Sequence, residues 1–271
     1  MEKVKVLFIF EEITPYLPES YISQIGRNLP QGIQENGKEI RTFMPKYGCV
    51  NERRNQLHEV IRLSGMNLII NDTDHPLIIK VASIQSARMQ IYFIDNEDYF
   101  GRKNTFSDGE GKEFSDNDER TIFFSRGVIE TIIKLNWSPD IIHCHGWFSS
   151  LVPLYIKKSY SDHPLFADSK VVYSAYNDDF KNPLNKKFKD KLLFEGINKK
   201  DVSVVNTPDF ININKLAVDY SDGIIIGHDD VNKEIKQYAE DSKKPVIKKT
   251  ILEDDQYIKD YSSFYDNILK P

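Results

Sequence analysis

Residues Val4 to Phe10 form a near-continuous run of β-branched and aromatic side chains, the pattern of a strand covered on both faces in a parallel sheet. A strand buried on both sides needs helices above and below it, so this run predicts an α/β chain with a central first strand. Ile22, Ile25, Leu29 and Ile33 then recur at helical spacing up to Asn36-Gly37, a helix stop, and a second strand-like run covers Ile40 to Met44. Together they make one βαβ unit. Further strands are predicted at Pro76–Ala82, Met89–Ile94, Asp140–His143, Lys170–Ala175, Val202–Asn206 and Gly223–Ile226, with helical patterns between several of them. The expectation is a Rossmann-like, doubly wound, mostly parallel sheet.

A helix is predicted from Asp116, its N-cap candidate, through Ile122, Phe123, Val128, Ile129, Ile132 and Ile133 to Trp137-Ser138-Pro139. The C-terminal segment sets Tyr257, Ile258, Tyr261, Phe264, Tyr265, Ile268 and Leu269 at successive three- and four-residue steps. That is an amphipathic helix, expected over about Glu253 to Leu269, which needs a groove to lie in. With no repeat, low-complexity tract or flexible linker, the partition is one domain over residues 1–245 and a segment over 246–271 whose helix docks back on it.

The 271 residues carry 36 basic and 41 acidic side chains, a net charge of −5. No global field draws phosphates, so nucleic acid is not an expected partner. The basic tract from Lys186 to Lys200 and the acidic one from Ser107 to Glu119 read as solvated surface. Apolar runs fall far short of the ~20 residues that span a bilayer, and Met1-Glu2-Lys3-Val4 enters a strand with no signal-peptide pattern. Neither a membrane nor export is expected, which points to the cytoplasm. Two cysteines, Cys49 and Cys144, build neither a disulfide framework nor a four-cysteine zinc site.

After the first strand there is no G-x-G-x-x-G and no G-x-x-x-x-G-K-[ST], and the chain has no G-x-S-x-G. Nothing implies a cofactor. The loop that should carry a site at the carboxyl edge of the sheet runs from Glu11 and Glu12 through Pro15 and Pro18 to Tyr21. His143 and His145 alternate on a strand and share a face, with Cys144 on the other. Zinc wants three or four ligands and no third lies at telling spacing, so a packed or hydrogen-bonded pair is expected and no metal.

The order of segments resembles the N-terminal domain of bacterial glycogen and starch synthases, glycosyltransferase family 5 of the GT-B architecture. The matching residues are Glu12 and Pro15, Ile25 to Pro30, Met44-Pro45-Lys46-Tyr47-Gly48, Tyr92-Phe93-Ile94-Asp95, Asp116 to Arg120 with Phe124-Ser125-Arg126, Trp137 to Trp147, and Leu151 to Tyr155. They span most of the chain in the family's order. The resemblance implies a GT-B N-terminal-type domain and a sugar nucleotide or α-glucan as ligand.

The departures fall where the family's chemistry sits. Its first loop ends in Lys-Thr-Gly-Gly, whose Lys and glycines approach the sugar nucleotide; here Pro18 stands for the Lys and Ser20-Tyr21 for the glycines. Its His-Ala-His-Asp-Trp keeps His143, His145 and Trp147 but has Gly146 for the aspartate. Its Thr-Val-His-Asn reads Ser174-Ala175-Tyr176-Asn177, and no segment corresponds to the second domain. Losing one preorganised donor costs ~10²- to 10³-fold in rate. The resemblance therefore implies a domain degenerate for transfer of glucose from ADP-glucose, with no catalytic residue assigned. A binding site for sugar, glucan, a protein partner or a second copy is expected at Glu12, Tyr21, His145, Trp147, Tyr176 and Asn177. The alternatives are an active glucosyltransferase completed by a second chain, or an enzyme of changed specificity using Glu12, His145 and Tyr176 as acid, base or donor.

Overall fold

The structure, a computed structural model, describes residues 3–248, 250, 252 and 255–270. In chain order the elements are β1 (Lys5–Ile9), α1 (Tyr21–Glu35), β2 (Glu39–Pro45), β3 (His58–Glu59), β4 (Met66–Ile70), β5 (Thr73–Ile84), β6 (Met89–Asp95), α2 (Glu97–Phe100), α3 (Asn117–Leu135), β7 (Ile141–His145), α4 (Val152–Lys158), β8 (Lys170–Ala175), α5 (Phe188–Lys191), α6 (Phe210–Tyr220), β9 (Gly223–Ile226), α7 (Lys233–Asp241), β10 (Val246–Ile247) and α8 (Gln256–Ile268).

The sheet runs β10-β9-β8-β7-β1-β2-β6-β5-β3, with β4 paired to β5. Every pairing from β10 to β6 is parallel; β5 is antiparallel to β6, β3 and β4. β1 lies in the interior of the sheet as its apolar run requires, and Val6 to Phe10 are at most 1% exposed. From β1 the chain goes to β2 on one side and later to β7 on the other, so the loops after β1 and β7 part over the carboxyl edge. This is the switch point at which open α/β sheets form their ligand crevice.

Alternation along β8 separates the two helical layers. Tyr173 hydrogen-bonds Asn214 of α6 at 2.7 Å, and Ser174 faces the other way to His143 at 2.7 Å. Tyr265 of α8 reaches the same histidine at 2.6 Å. α8 thus lies with α1 on one face, while α3, α4 and α6 cover the other. Tyr257, Ile258, Tyr261 and Tyr265 are buried; Phe264, Ile268 and Leu269 are half-buried. The predicted start of this helix, Glu253, lies outside the described residues. Among the described residues no helix is long and apolar enough to cross a membrane.

Three sequence expectations are corrected. Val202–Asn206 is no strand: Ser203–Asn206 forms a 3-10 turn that buries Val205 against α6, because a short apolar run does not by itself distinguish the two. Asp116 caps nothing with its side chain and instead takes a two-pronged bond from Arg102 at 2.7 and 2.5 Å. The acidic and basic tracts are not merely solvated: Lys191 meets Asp118 at 2.5 Å and Glu119 at 2.7 Å, with Lys191 5% and Asp118 0% exposed. A charge buried alone costs far more than one paired in this way.

Candidate functional site

Three of the six expected ligand positions converge at the switch point as a stack that closes it. His145, the last residue of β7, is fully buried, its ring 3.8 Å from that of Phe10 and nearly parallel to it. Its Nδ1 lies 2.8 Å from the hydroxyl of Tyr176, itself fully buried. Burial and the neighbouring His143 hold the His145 pKa well below the ordinary imidazole value, so the ring is neutral at pH 7. Tyr21 lies edge-on to Tyr176 at 6.3 Å and to His228 at 4.5 Å, and its hydroxyl reaches the Thr250 carbonyl at 3.5 Å.

The other three sit apart. Trp147 is 2% exposed, boxed by Phe106, Phe148 and Phe180 at ring distances of 5.2, 5.2 and 4.8 Å, so its indole is a packing residue. Asn177 is exposed on the rim. Glu12, half-buried, accepts from the hydroxyl of Ser20, which also caps α1 through Ser23 N–H at 3.0 Å. Pro18 and Glu19 are exposed beside it.

His143 has both ring nitrogens engaged, by Tyr265 and Ser174. The two histidine rings are 3.8 Å apart, as their alternation on β7 requires. Among the described residues no group of three His, Cys, Asp or Glu side chains is arranged to hold a metal.

Sequence reasoning missed the central feature, a carboxyl pair. Glu11, 3% exposed, and half-buried Asp178 set their carboxyl groups against each other, an approach that one proton shared between them makes favourable. Asp178 accepts from Trp147 N–H at 2.8 Å. Desolvation and the facing carboxylates raise Glu11 well above the usual carboxylate range and push Asp178 up to about 6. Asp178 had a readable signal: it lies three residues past a predicted strand, on the edge where ligands bind.

The sign of the resulting pH dependence follows. A carboxyl whose folded pKa is raised holds a proton that the unfolded chain has released, so the folded state loses stability as pH rises from about 4 through the folded pKa near 6. His143 and His145 act in the opposite sense, because buried neutral imidazoles lose ground as pH falls below the unfolded value of about 6.5. Comparing variants separates the two. Glu11→Gln removes the shared proton and keeps a donor in its place, so it should gain melting temperature over the parent steadily from pH 5 to pH 8. A difference that stays flat across that range would refute the shared proton.

Over residues 5–248 the chain matches the family described as the starch synthase catalytic domain. The glycogen synthase of Chlorobium luteolum is 40% identical over 194 residues, 71% of this chain and 40% of that protein. The glycogen synthase of Chlorobaculum parvum is 34% identical over 243 residues, 88% of this chain and 48% of that one. The solved catalytic domain of starch synthase IV from Arabidopsis thaliana, bound to ADP and acarbose, superposes with a TM-score of 0.66 at 17% identity, covering 83% of this chain and 45% of the other. That last likeness concerns the fold alone. The chain spans less than half the length of these relatives. With 244 of its residues inside one family's bounds and a mostly parallel sheet like that of the GT-B domains, the chain belongs to the starch synthase catalytic domain family, glycosyltransferase family 5.

Proposed function

We propose that this glycogen/starch synthase-like domain does not itself transfer glucose from ADP-glucose and that its carboxyl edge serves a binding role. One observation carries the reading: the crevice is filled from within. Tyr21 closes over Tyr176, Tyr176 over His145, and His145 is buried and uncharged. A departing diphosphate needs preorganised positive charge or hydrogen-bond donors aimed at it. Here Glu11, Glu12 and Asp178 line the edge and Pro18 brings neither charge nor an N–H. Glu12, Tyr21, Asn177 and Asp178 remain within reach of a ligand from solvent.

A second reading is an active glucosyltransferase whose site a nucleotide-binding half completes; the glycogen synthases it matches are more than twice as long as the stretch that this chain spans. Incorporation of radiolabelled glucose from ADP-glucose into glycogen tests both. The purified chain should give counts no higher than a blank without protein. Robust incorporation by the chain alone would overturn the proposal, and incorporation only with an added nucleotide-binding half would establish the second reading in its place.

A further inference from the structure

We propose that Arg126 anchors a second ligand site, on the opposite face of the sheet from the His145 stack, in a cavity that takes a small monocarboxylate with an apolar body. The inference is independent of the role proposed above for the carboxyl edge.

The cavity holds about 420 Å³, within the ~300 to 1,000 Å³ of small-molecule sites. Its walls are the turn between β4 and β5, the middle of α3, and α5 with the residues just after it. α3 covers the face of the sheet opposite α1 and α8, whereas His145, two residues from His143 on β7, points with it toward α8. None of Glu12, Tyr21, His145, Trp147, Tyr176 or Asn177 lines this cavity.

Arg126 lines the cavity, is 8% exposed, and is only partly satisfied by the protein. Nη1 donates to the Ile69 carbonyl at 2.6 Å, and the Phe194 ring covers the guanidinium at 4.0 Å. Nε, however, is buried without a hydrogen-bond partner, and among the described residues no carboxylate pairs with the cation. Buried charges are normally paired. The acids of its own helix are committed elsewhere: Glu130, one turn on, accepts from the Tyr160 hydroxyl at 2.5 Å, and Lys191 holds Asp118 and Glu119. With Nη1 taken, the free edge is Nε with Nη2, the planar pair of donors that matches the two oxygens of a carboxylate. The neighbouring walls are apolar. Leu193 and Phe194 are half-buried and Ile69 is 60% exposed, so an apolar body attached to that carboxylate would take all three from water. Inorganic phosphate would leave them wet, and its second charge would meet an exposed rim that sets Asp72 and Asp190 against Lys187 alone.

The test is titration calorimetry of the full chain at pH 7 with three probes: hexanoate, hexanol, which has the tail without the charge, and inorganic phosphate, which has the charge without the tail. Hexanoate should bind in the millimolar range or tighter, and the other two at least tenfold more weakly. Arg126→Gln should weaken hexanoate binding tenfold or more. Ile69→Glu changes an exposed side chain and keeps the main-chain carbonyl that serves Arg126. Its carboxylate competes for the cation or repels the ligand, so it should weaken hexanoate binding tenfold or more at an unaltered melting temperature, which decides the case in which Arg126→Gln does not fold. Arg54→Gln, at an exposed arginine outside the cavity, should leave the affinity as it was. Hexanoate affinity indifferent to Arg126→Gln and Ile69→Glu, or lowered as much by Arg54→Gln, would overturn the assignment. So would equal or tighter binding of hexanol or phosphate, or no binding of hexanoate at tens of millimolar.

Discussion

Ending the chain before Asp255 is expected to abolish cooperative folding, because the segment removed carries part of the core. α8 buries Tyr257, Ile258, Tyr261 and Tyr265, and each large apolar side chain fully buried contributes ~1.5 to 3 kcal/mol. Four of them come to about 6 to 12 kcal/mol, an upper bound because unfolded chains already bury some surface, set against a total stability of ~5 to 15 kcal/mol for a domain. The seat is shaped for this helix. A Cβ on Gly32 of α1 would meet Ile258 at 2.6 Å, and one on Gly223 of β9 would meet Ile268 at 2.4 Å. Removing α8 also strips Tyr265 from His143 Nδ1 and Ser262 and Asp266 from Lys38. The loss of a buried imidazole's partner costs a further ~1 to 3 kcal/mol. Chemical denaturation of the truncated chain, followed by circular dichroism, decides it: a cooperative transition with its midpoint near that of the full chain would show that α8 is an ornament on an independent domain.

The parts of this fold that were legible in the sequence are those decided locally. β1 had to lie inside the sheet because a strand apolar on both faces has no other stable place. α1, the helix over residues 117–135 and α8 could be read from their stripes. What failed was decided at long range. Val202 and Val205 carry strand-forming side chains, but helix α6 offers them a burial site that the sheet does not. Asp116 has the chemistry of a cap and is taken by Arg102, 14 residues away. The pairing of Lys191 with Asp118 spans 73 residues, so each charged tract read alone looked like surface. The site divides in the same way. That Tyr21, His145 and Tyr176 meet follows from strand alternation and the switch-point rule. That Glu11, rather than Glu12, turns inward to Asp178 depends on the backbone at Gly146, and no residue type announces a φ of +74°.

Replacing Gly146 by aspartate, the residue that the family resemblance implies at this position, is expected to destabilise the chain by about 3 kcal/mol or more rather than to restore a function. Three costs act together. The backbone at 146 occupies a region that side chains other than glycine's avoid, at ~1 to 3 kcal/mol. The new Cβ would stand 2.6 Å from Asp178 Oδ2, and the atom in the way is a carboxylate oxygen held by Trp147 N–H, not the free end of a flexible chain; overpacking of this kind costs ~1 to 3 kcal/mol. The added charge would then join two carboxyl groups whose proton affinity is already raised by desolvation. Gly146→Ala carries the first two costs without the third, so the gap between the two variants measures the charge and should widen from pH 5 to pH 8. Asp178→Ala in the Gly146→Ala background removes the obstructing oxygen and should recover part of the loss, whereas independent sites would simply add their effects. Urea midpoints of the five proteins, Asp178→Ala alone included, read all of this. If Gly146→Asp is as stable as the parent, the loop after β7 is free to change its backbone; if it is not, an aspartate at 146 and the Glu11–Asp178 pair are alternative occupants of one volume.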